Sequence, residues 1–234
     1  MAGHIDLNAD LGEGVTDDEG LLAVITSANV ACGFHAGDEQ TMRQVCRAAV
    51  RLGVVVGAQV SYDDRENFGR VALDVAFEVL REQVAEQVRL LDALAREAGT
   101  RVRYIKPHGA LYHRVVDDEE QARAVLAGSA DLPVLGLPGS VLLAHARTAG
   151  RAVFHEGFPD RAYTDDGLLV PRDRPGAVLH EPLMIAERAV AMARSGEVHS
   201  VCVHGDSPNA VRSATEVRRH LEGAGLRLRS FTGG

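Results

Sequence analysis

Short apolar runs recur along the chain, and most are followed by a polar or Gly-containing turn and then by apolar residues at helical spacing. That alternation specifies βα units, which pack as a parallel sheet covered by helices. The predicted strands are residues 4–8, 27–31, 54–58, 102–105, 134–137, 151–154 and 200–203, with 226–231 as a candidate last one. The predicted helices are 17–25, a segment opening at the N-cap Asp38 and running through Met42, Val45, Ala48, Ala49 and Leu52, then 73–98, one beginning at Asp117 or Asp118, one ending near Gly150, 181–195, and one capped by Asn209. Seven or eight such units without a GxGxxG or Walker A loop point to a closed or nearly closed TIM-like (β/α)7–8 barrel rather than an open doubly wound sheet. At 234 residues the chain is expected to be one barrel domain over 1–234.

Polar residues concentrate where strands end. Asn8, Asp10, His35, Gln59, Lys106, His108, His155, Glu156, Asp160, His204 and Asp206 all sit at predicted strand exits, and strand entries carry little of that kind. In a barrel those exits converge on one mouth, where barrel enzymes build their sites. Ser27 to Asp38 is the densest case: a strand delivers His35 between Gly33 and Gly37, just ahead of a helix. Residues 162–176, rich in Asp, Gly, Pro and Arg, form an irregular stretch long enough to be a lid or binding loop.

Two chemistries suit this set. His35, His108, His155 and His204 with neighbouring carboxylates could assemble a divalent metal site, although no HExxH-type signature is present. Alternatively, a carboxylate such as Asp10 or Asp206 and a histidine such as His35, His108 or His204 could shuttle a proton with no ion. Lys106 could polarise a carbonyl or hold an anion, and Arg65, Arg70, Arg161 and Arg172 offer forked donors for an acidic ligand. His4, His113, His145, His180, His199 and His220 receive no role.

Composition narrows the classes. A net charge of −8, with no stripe of Lys/Arg interleaved with aromatics, argues against a nucleic-acid surface. The three cysteines, Cys32, Cys46 and Cys202, lack CxxC spacing and read as reduced core thiols. With no leader pattern and no apolar run of about 18 residues, a cytoplasmic location away from membranes is expected.

The motifs resemble those of the LamB/YcsF family, the A subunits of 5-oxoprolinase, which share the barrel type of glycoside hydrolases and polysaccharide deacetylases. The resemblance spans essentially the whole chain: Asp6-Leu-Asn-Ala-Asp-Leu-Gly-Glu13, Ser27 to Asp38, Lys106-Pro-His-Gly-Ala-Leu-Tyr112, Glu156 to Tyr163, Leu169-Val-Pro-Arg172 and Val203-His-Gly-Asp206. One departure stands out. Where the family usually reads Gly-Ala-His-Pro-Ser-Tyr, this chain reads Gly57-Ala-Gln-Val-Ser-Tyr62, so an expected mouth histidine is Gln59. The arginine pair usual after Phe68-Gly69 is reduced to Arg70-Val71.

The resemblance implies a hydrolase that opens the lactam of 5-oxo-L-proline to L-glutamate with two partner subunits, with ATP as co-substrate and a divalent metal as an open option. The implied catalytic residues are Asp10, His35, Lys106, His108 and Asp206. Asn8, Asn29, Gln59, Tyr62, Arg65, Glu156, Asp160, Arg161 and His204 are expected to contact substrate. A metal-dependent carbohydrate deacetylase and a non-catalytic subunit binding a small acid are the alternatives.

Overall fold

The computed structural model describes residues 3–15, 17–205 and 209–233. In chain order the elements are β1 (His4–Leu11), α1 (Asp18–Leu22), β2 (Ser27–Ala31), α2 (Glu39–Leu52), β3 (Val55–Val60), α3 (Phe77–Glu97), β4 (Ile105–Pro107) and α4 (Gly109–Arg114). They continue with α5 (Glu119–Gly128), β5 (Val134–Gly136), α6 (Val141–Thr148), β6 (Val153–Gly157), α7 (Pro182–Ser195), β7 (Ser200–Val203), α8 (Ala210–Gly223) and β8 (Arg227–Leu228). Strands β1 to β7 pair in sequence, and β1 also pairs with β7, so seven parallel strands close a ring. β8 pairs only with His4 and Ile5, ahead of the part of β1 that enters the ring. The expected TIM-like barrel is therefore present with seven strands. No helix among the described residues is long and apolar enough to cross a membrane.

Local sequence explains the elements. Asp38 caps α2 by accepting from the Thr41 N–H at 2.8 Å, and Met42, Val45, Cys46, Ala48 and Ala49 turn one face of α2 inward. Asp118, one of the two expected starts, caps α5 by accepting from Gln121 N–H. Asn209 stands at the start of α8 but makes no side-chain cap.

Strand parity decides what faces the barrel axis. Along β1, Ile5, Leu7, Ala9 and Leu11 join the apolar core, whereas Asp6, Asn8 and Asp10 bond to residues of other strands. The axis is therefore polar and hydrogen-bonded instead of filled with branched aliphatics. At its lower end Asp6 accepts from the hydroxyls of Thr26, Ser27 and Ser200. Above it, Asn8 donates to Ser200 Oγ, Asn29 donates to Asn8 and Asp10, and the Tyr104 hydroxyl donates to Asn29 Oδ1 at 2.6 Å. Gly57 makes room for that tyrosine: a Cβ there would lie 2.2 Å from the Tyr104 ring.

Several expected boundaries move, each for a physical reason. β1 runs to Leu11 and β3 to Val60, because Asp10 and Gln59 are held inside the ladder by buried partners. The expected strand at 102–105 is regular only over Ile105–Pro107, although the Arg103 N–H and Tyr104 carbonyl already bond to β3. β6 starts at Val153 rather than 151, since the Arg151 guanidinium ties back to the Leu126 and Leu132 carbonyls. The strand also runs on to Gly157 instead of ending at 154, which puts His155 and Glu156 inside it on opposite faces: Glu156 is buried, whereas half-buried His155 bonds to the Glu197 carbonyl and packs against His199. His155 thus leaves the mouth set. The short helix α4 adds to the expected elements, and the 226–231 strand shrinks to two residues.

The Asp6 cluster generates a pH prediction. Burial raises the Asp6 pKa from the ordinary 3.8 to about 6, against the pull of its hydroxyl donors. A folded pKa above the unfolded one contributes stability that is complete below pH 3.8 and lost as pH rises through 6. Urea unfolding of the wild type against Asp6→Asn should show the wild type losing about 2 kcal/mol relative to the variant between pH 4.5 and 7. Parallel pH profiles would refute it.

Candidate active site

The floor of the mouth is a buried ion group. Lys106 on β4 places Nζ 2.9 Å from Asp10 Oδ1, 3.0 Å from Glu156 Oε1 and 3.3 Å from Cys202 Sγ, drawing residues of β1, β6 and β7 onto one ammonium. Its side chain is 3% exposed. Burial opposes the lysine's charge, but Asp10, Cys202 and Glu156 hold its pKa well above the ordinary value. Burial would likewise raise Asp10, yet Lys106 and His204 keep it below the usual carboxylate range. Glu156 goes the other way, because burial outweighs Lys106 and lifts its pKa. Tyr112 and Phe158 wall this floor, with Nζ 5.4 Å from the Phe158 ring centre.

Beside the floor lies a second buried group. The His35 and His108 rings stack at 3.9 Å between centroids, and Phe68 meets both edge-on. Glu13 Oε1 is 3.5 Å from His35 Nε2 and 3.5 Å from His108 Nδ1. The Gln59 amide nitrogen sits between them, donating to Glu13 Oε1 at 3.0 Å and lying 2.9 Å from His108 Nδ1. Hydrogen bonds fix the tautomers. The Ser61 hydroxyl donates to the Tyr62 carbonyl, so Ser61 Oγ receives the His35 Nδ1–H at 2.9 Å and His35 Nε2 keeps a lone pair. His108 Nε2–H meets the Phe68 carbonyl at 3.1 Å, leaving Nδ1 to accept from Gln59. Burial, then His35, hold the His108 pKa well below the ordinary value, so this imidazole is neutral. Phe68 has φ 58°, a costly conformation for a bulky residue, and the next residue, Gly69 (φ 67°), has no room for a side chain because a Cβ would stand 2.9 Å from the His35 Cβ.

The third group lies opposite. His204 Nδ1 is 2.9 Å from Asp160 Oδ2, and the His204 backbone N–H donates to the same oxygen. Burial would raise Asp160, but His204 holds it below the usual range, so a charged carboxylate takes the Nδ1–H and leaves Nε2 for a ligand. The His204 ring stacks on Phe158 at 5.2 Å. A cavity of about 50 Å³ opens between these groups, with Asp10, Lys106, His108 and His204 inside and Arg70 and Arg172 at its edge. The stretch expected to be a lid covers it through Leu169 and Arg172, and paired bridges Arg161↔Val178 and Tyr163↔Leu169 give that stretch a defined path.

Residues 5–233 match the LamB/YcsF family. The chain belongs to that family. A Streptomyces avermitilis protein that carries the name of the 5-oxoprolinase A subunit is 55% identical over 97% of this chain and 99% of its own length. The crystal structure of a lactam utilization protein from Thermus thermophilus superposes with a TM-score of 0.91 at 37% identity, covering 97% of this chain and 100% of that one. A peptidoglycan deacetylase from Bacillus subtilis shares the fold at a TM-score of 0.56 and 14% identity, covering 99% of this chain and 89% of that one.

Set against the LamB/YcsF motifs, the structure gathers Asp10, His35, Gln59, Lys106, His108, Glu156, Asp160 and His204 at one mouth. Asn8 and Asn29 stand below it as supports of Asp10. Two further expected substrate contacts are placed otherwise. Tyr62 is buried, with its hydroxyl donating to Gln121 of α5. Arg65 donates to the Gly33 and Gly37 carbonyls and so ties down the loop bearing His35. Buried Arg161 lines the cavity, as expected of a substrate contact, and also donates to the Val170 and Ala177 carbonyls, holding the lid. Asp206 lies outside the described residues. Sequence reasoning missed Glu13, the carboxylate shared by two histidines, and His113, which lines the cavity. The signals for Glu13 were its place with Asn8 and Asp10 in the Gly-punctuated loop leaving the first strand and at the end of the first family motif.

The LamB/YcsF mouth passes a test for a divalent cation at one place and fails it at another. Glu13, His35 and His108 bring one ligand atom each within 4.8 Å of the others, imidazole and carboxylate suit zinc-like ions, and His35 Nε2 is buried with no hydrogen-bond partner. Asp10, Cys202 and His204 are as close together, but the Lys106 ammonium already sits against Asp10 and Cys202. Lys106→Met removes that cation and leaves Asp10 and Glu156 facing each other unpaired. The variant should lose about 3–5 kcal/mol in urea unfolding at pH 7, with a smaller loss at pH 5 as a carboxylate takes up a proton. Wild-type stability at pH 7 would refute the ion group's role.

Proposed function

We propose that the chain is the A subunit of a 5-oxoprolinase, opening the lactam of 5-oxo-L-proline to L-glutamate at the barrel mouth, with two further subunits and ATP. The observation that carries this reading is the 55% identity, end to end, with a protein of that name, and the kinship to a lactam utilization protein points the same way. The deacetylase likeness reaches only the fold and does not favour the alternative.

The geometry suits amide opening. A five-membered lactam is a stabilised amide with a poor leaving group, so ATP is spent on activating its carbonyl oxygen, and water must then add to the ring carbon. The His204–Asp160 pair is the proton carrier: Asp160 fixes the ring and stabilises the imidazolium, and Nε2 takes the water proton and returns it to the ring nitrogen as the C–N bond breaks; the phosphate stays on the former carbonyl oxygen as an acyl phosphate, which a second water cleaves to glutamate and inorganic phosphate. His108, with both nitrogens engaged, is not a base here. Lys106 sits ready against the negative charge of the phosphorylated carbonyl oxygen, already charged and already desolvated. Arg70 and Arg172 at the rim suit the substrate carboxylate. A divalent cation held by Glu13, His35 and His108 would polarise a carbonyl or lower the pKa of bound water.

The test is glutamate release from 5-oxoproline by the chain with its two partner subunits, ATP and Mg²⁺. Wild type should release glutamate only when partners and ATP are present, and His204→Gln should lower kcat about 10²–10⁴-fold with its fold retained. No release from the complete mixture would overturn the assignment. Release at the wild-type rate by His204→Gln would overturn the role of the dyad.

A further inference from the structure

We propose that Gln59 is a two-position amide ligand: its N–H face holds the Glu13–His35–His108 group together without an ion, and its carbonyl face completes a divalent cation site when an ion enters. The donors have the right spacing. Ligand atoms around an ion with bonds of about 2.0–2.2 Å lie roughly 3–3.5 Å apart. Here the Glu13 oxygen is 3.5 Å from His35 Nε2 and 3.5 Å from His108 Nδ1, and the Gln59 amide nitrogen is 3.0 Å and 2.9 Å from Glu13 Oε1 and His108 Nδ1. A half-turn of the carboxamide exchanges Nε2 for Oε1 at that vertex.

Two buried atoms await such a turn. Gln59 Oε1 and His35 Nε2 are both without hydrogen-bond partners, on residues 0% and 1% exposed. The outer contacts are also those of a ligand set. His35 is held by Ser61 Oγ through Nδ1, and His108 by the Phe68 carbonyl through Nε2, so each ring keeps its other nitrogen unprotonated, the metal-binding tautomer; because the rings stack nearly parallel at 3.9 Å, one of them must turn as an ion enters for both lone pairs to meet it. Two imidazoles, a carboxylate and an amide oxygen suit Zn²⁺, Co²⁺ or Mn²⁺.

The cation site is independent of the lactam reading, so it is tested by binding. The full chain, stripped with chelator and returned to buffer, is titrated with Co²⁺ by visible absorption and with Zn²⁺ by calorimetry, and each variant is checked by circular dichroism. Wild type should take up one ion per chain, His35→Ala should take up none, and Ser61→Ala should bind about 10-fold more weakly. Gln59→Leu, which has no oxygen to offer, should weaken binding, and the near-isosteric Gln59→Glu should tighten it. No saturable uptake by wild type would overturn the site. Tighter binding by Gln59→Leu, or unchanged binding by Gln59→Glu, would show the amide to be a plug rather than a ligand. Loss of the cation site with glutamate release intact would leave the lactam assignment standing.

Discussion

A buried ammonium between two buried carboxylates is the constraint on which the barrel depends. Lys106 cannot keep its charge in the interior unless Asp10 and Glu156 reach it, and they reach it only if β1, β4 and β6 hold their registers. A one-residue slip on any of the three would turn a charged side chain to the apolar outer layer. The same buried charges therefore also fix strand alignment. The hydrogen-bonded column below, from Asp6 through Asn8 and Asn29 to Asp10, carries that constraint down the axis.

Backbone strain beside the floor serves the paired rings. Phe68 adopts a left-handed conformation that aims its carbonyl at His108, while its ring closes the edges of both histidines. Such a conformation persists only where neighbours over-determine it. Here Gly69 lies against His35 and His108 too closely for any side chain, so the turn and the rings confine one another.

Much of this was legible in the sequence. Strands β2 and β7 begin and end where short apolar runs do, and the convergence of strand exits on one mouth follows from βα order alone. Parity was harder to read. A barrel axis is usually apolar, so nothing in Asp6, Asn8 and Asp10 announced a polar column until their partners across the ring were known. His155 and Glu156 are neighbours in sequence, and only their partners, the Glu197 carbonyl for one and Lys106 for the other, tell which faces inward. Glu13 stayed hidden because its two histidines come from loops after other strands. Tyr62 and Arg65 follow β3 as site residues would, yet one packs beneath α5 and the other braces a neighbouring loop.

The cover over the cavity is clamped by arginines onto main-chain oxygen. Arg161 holds the Val170 and Ala177 carbonyls, and Arg188 of α7 holds those of Pro159 and Arg161. Carbonyls are present whatever the side chains, so the path of the cover does not depend on what its tip displays. The side chains of residues 165–168 are thereby released from architectural duty. A barrel built this way can change the shape and charge of that exposed turn while its charged floor stays untouched.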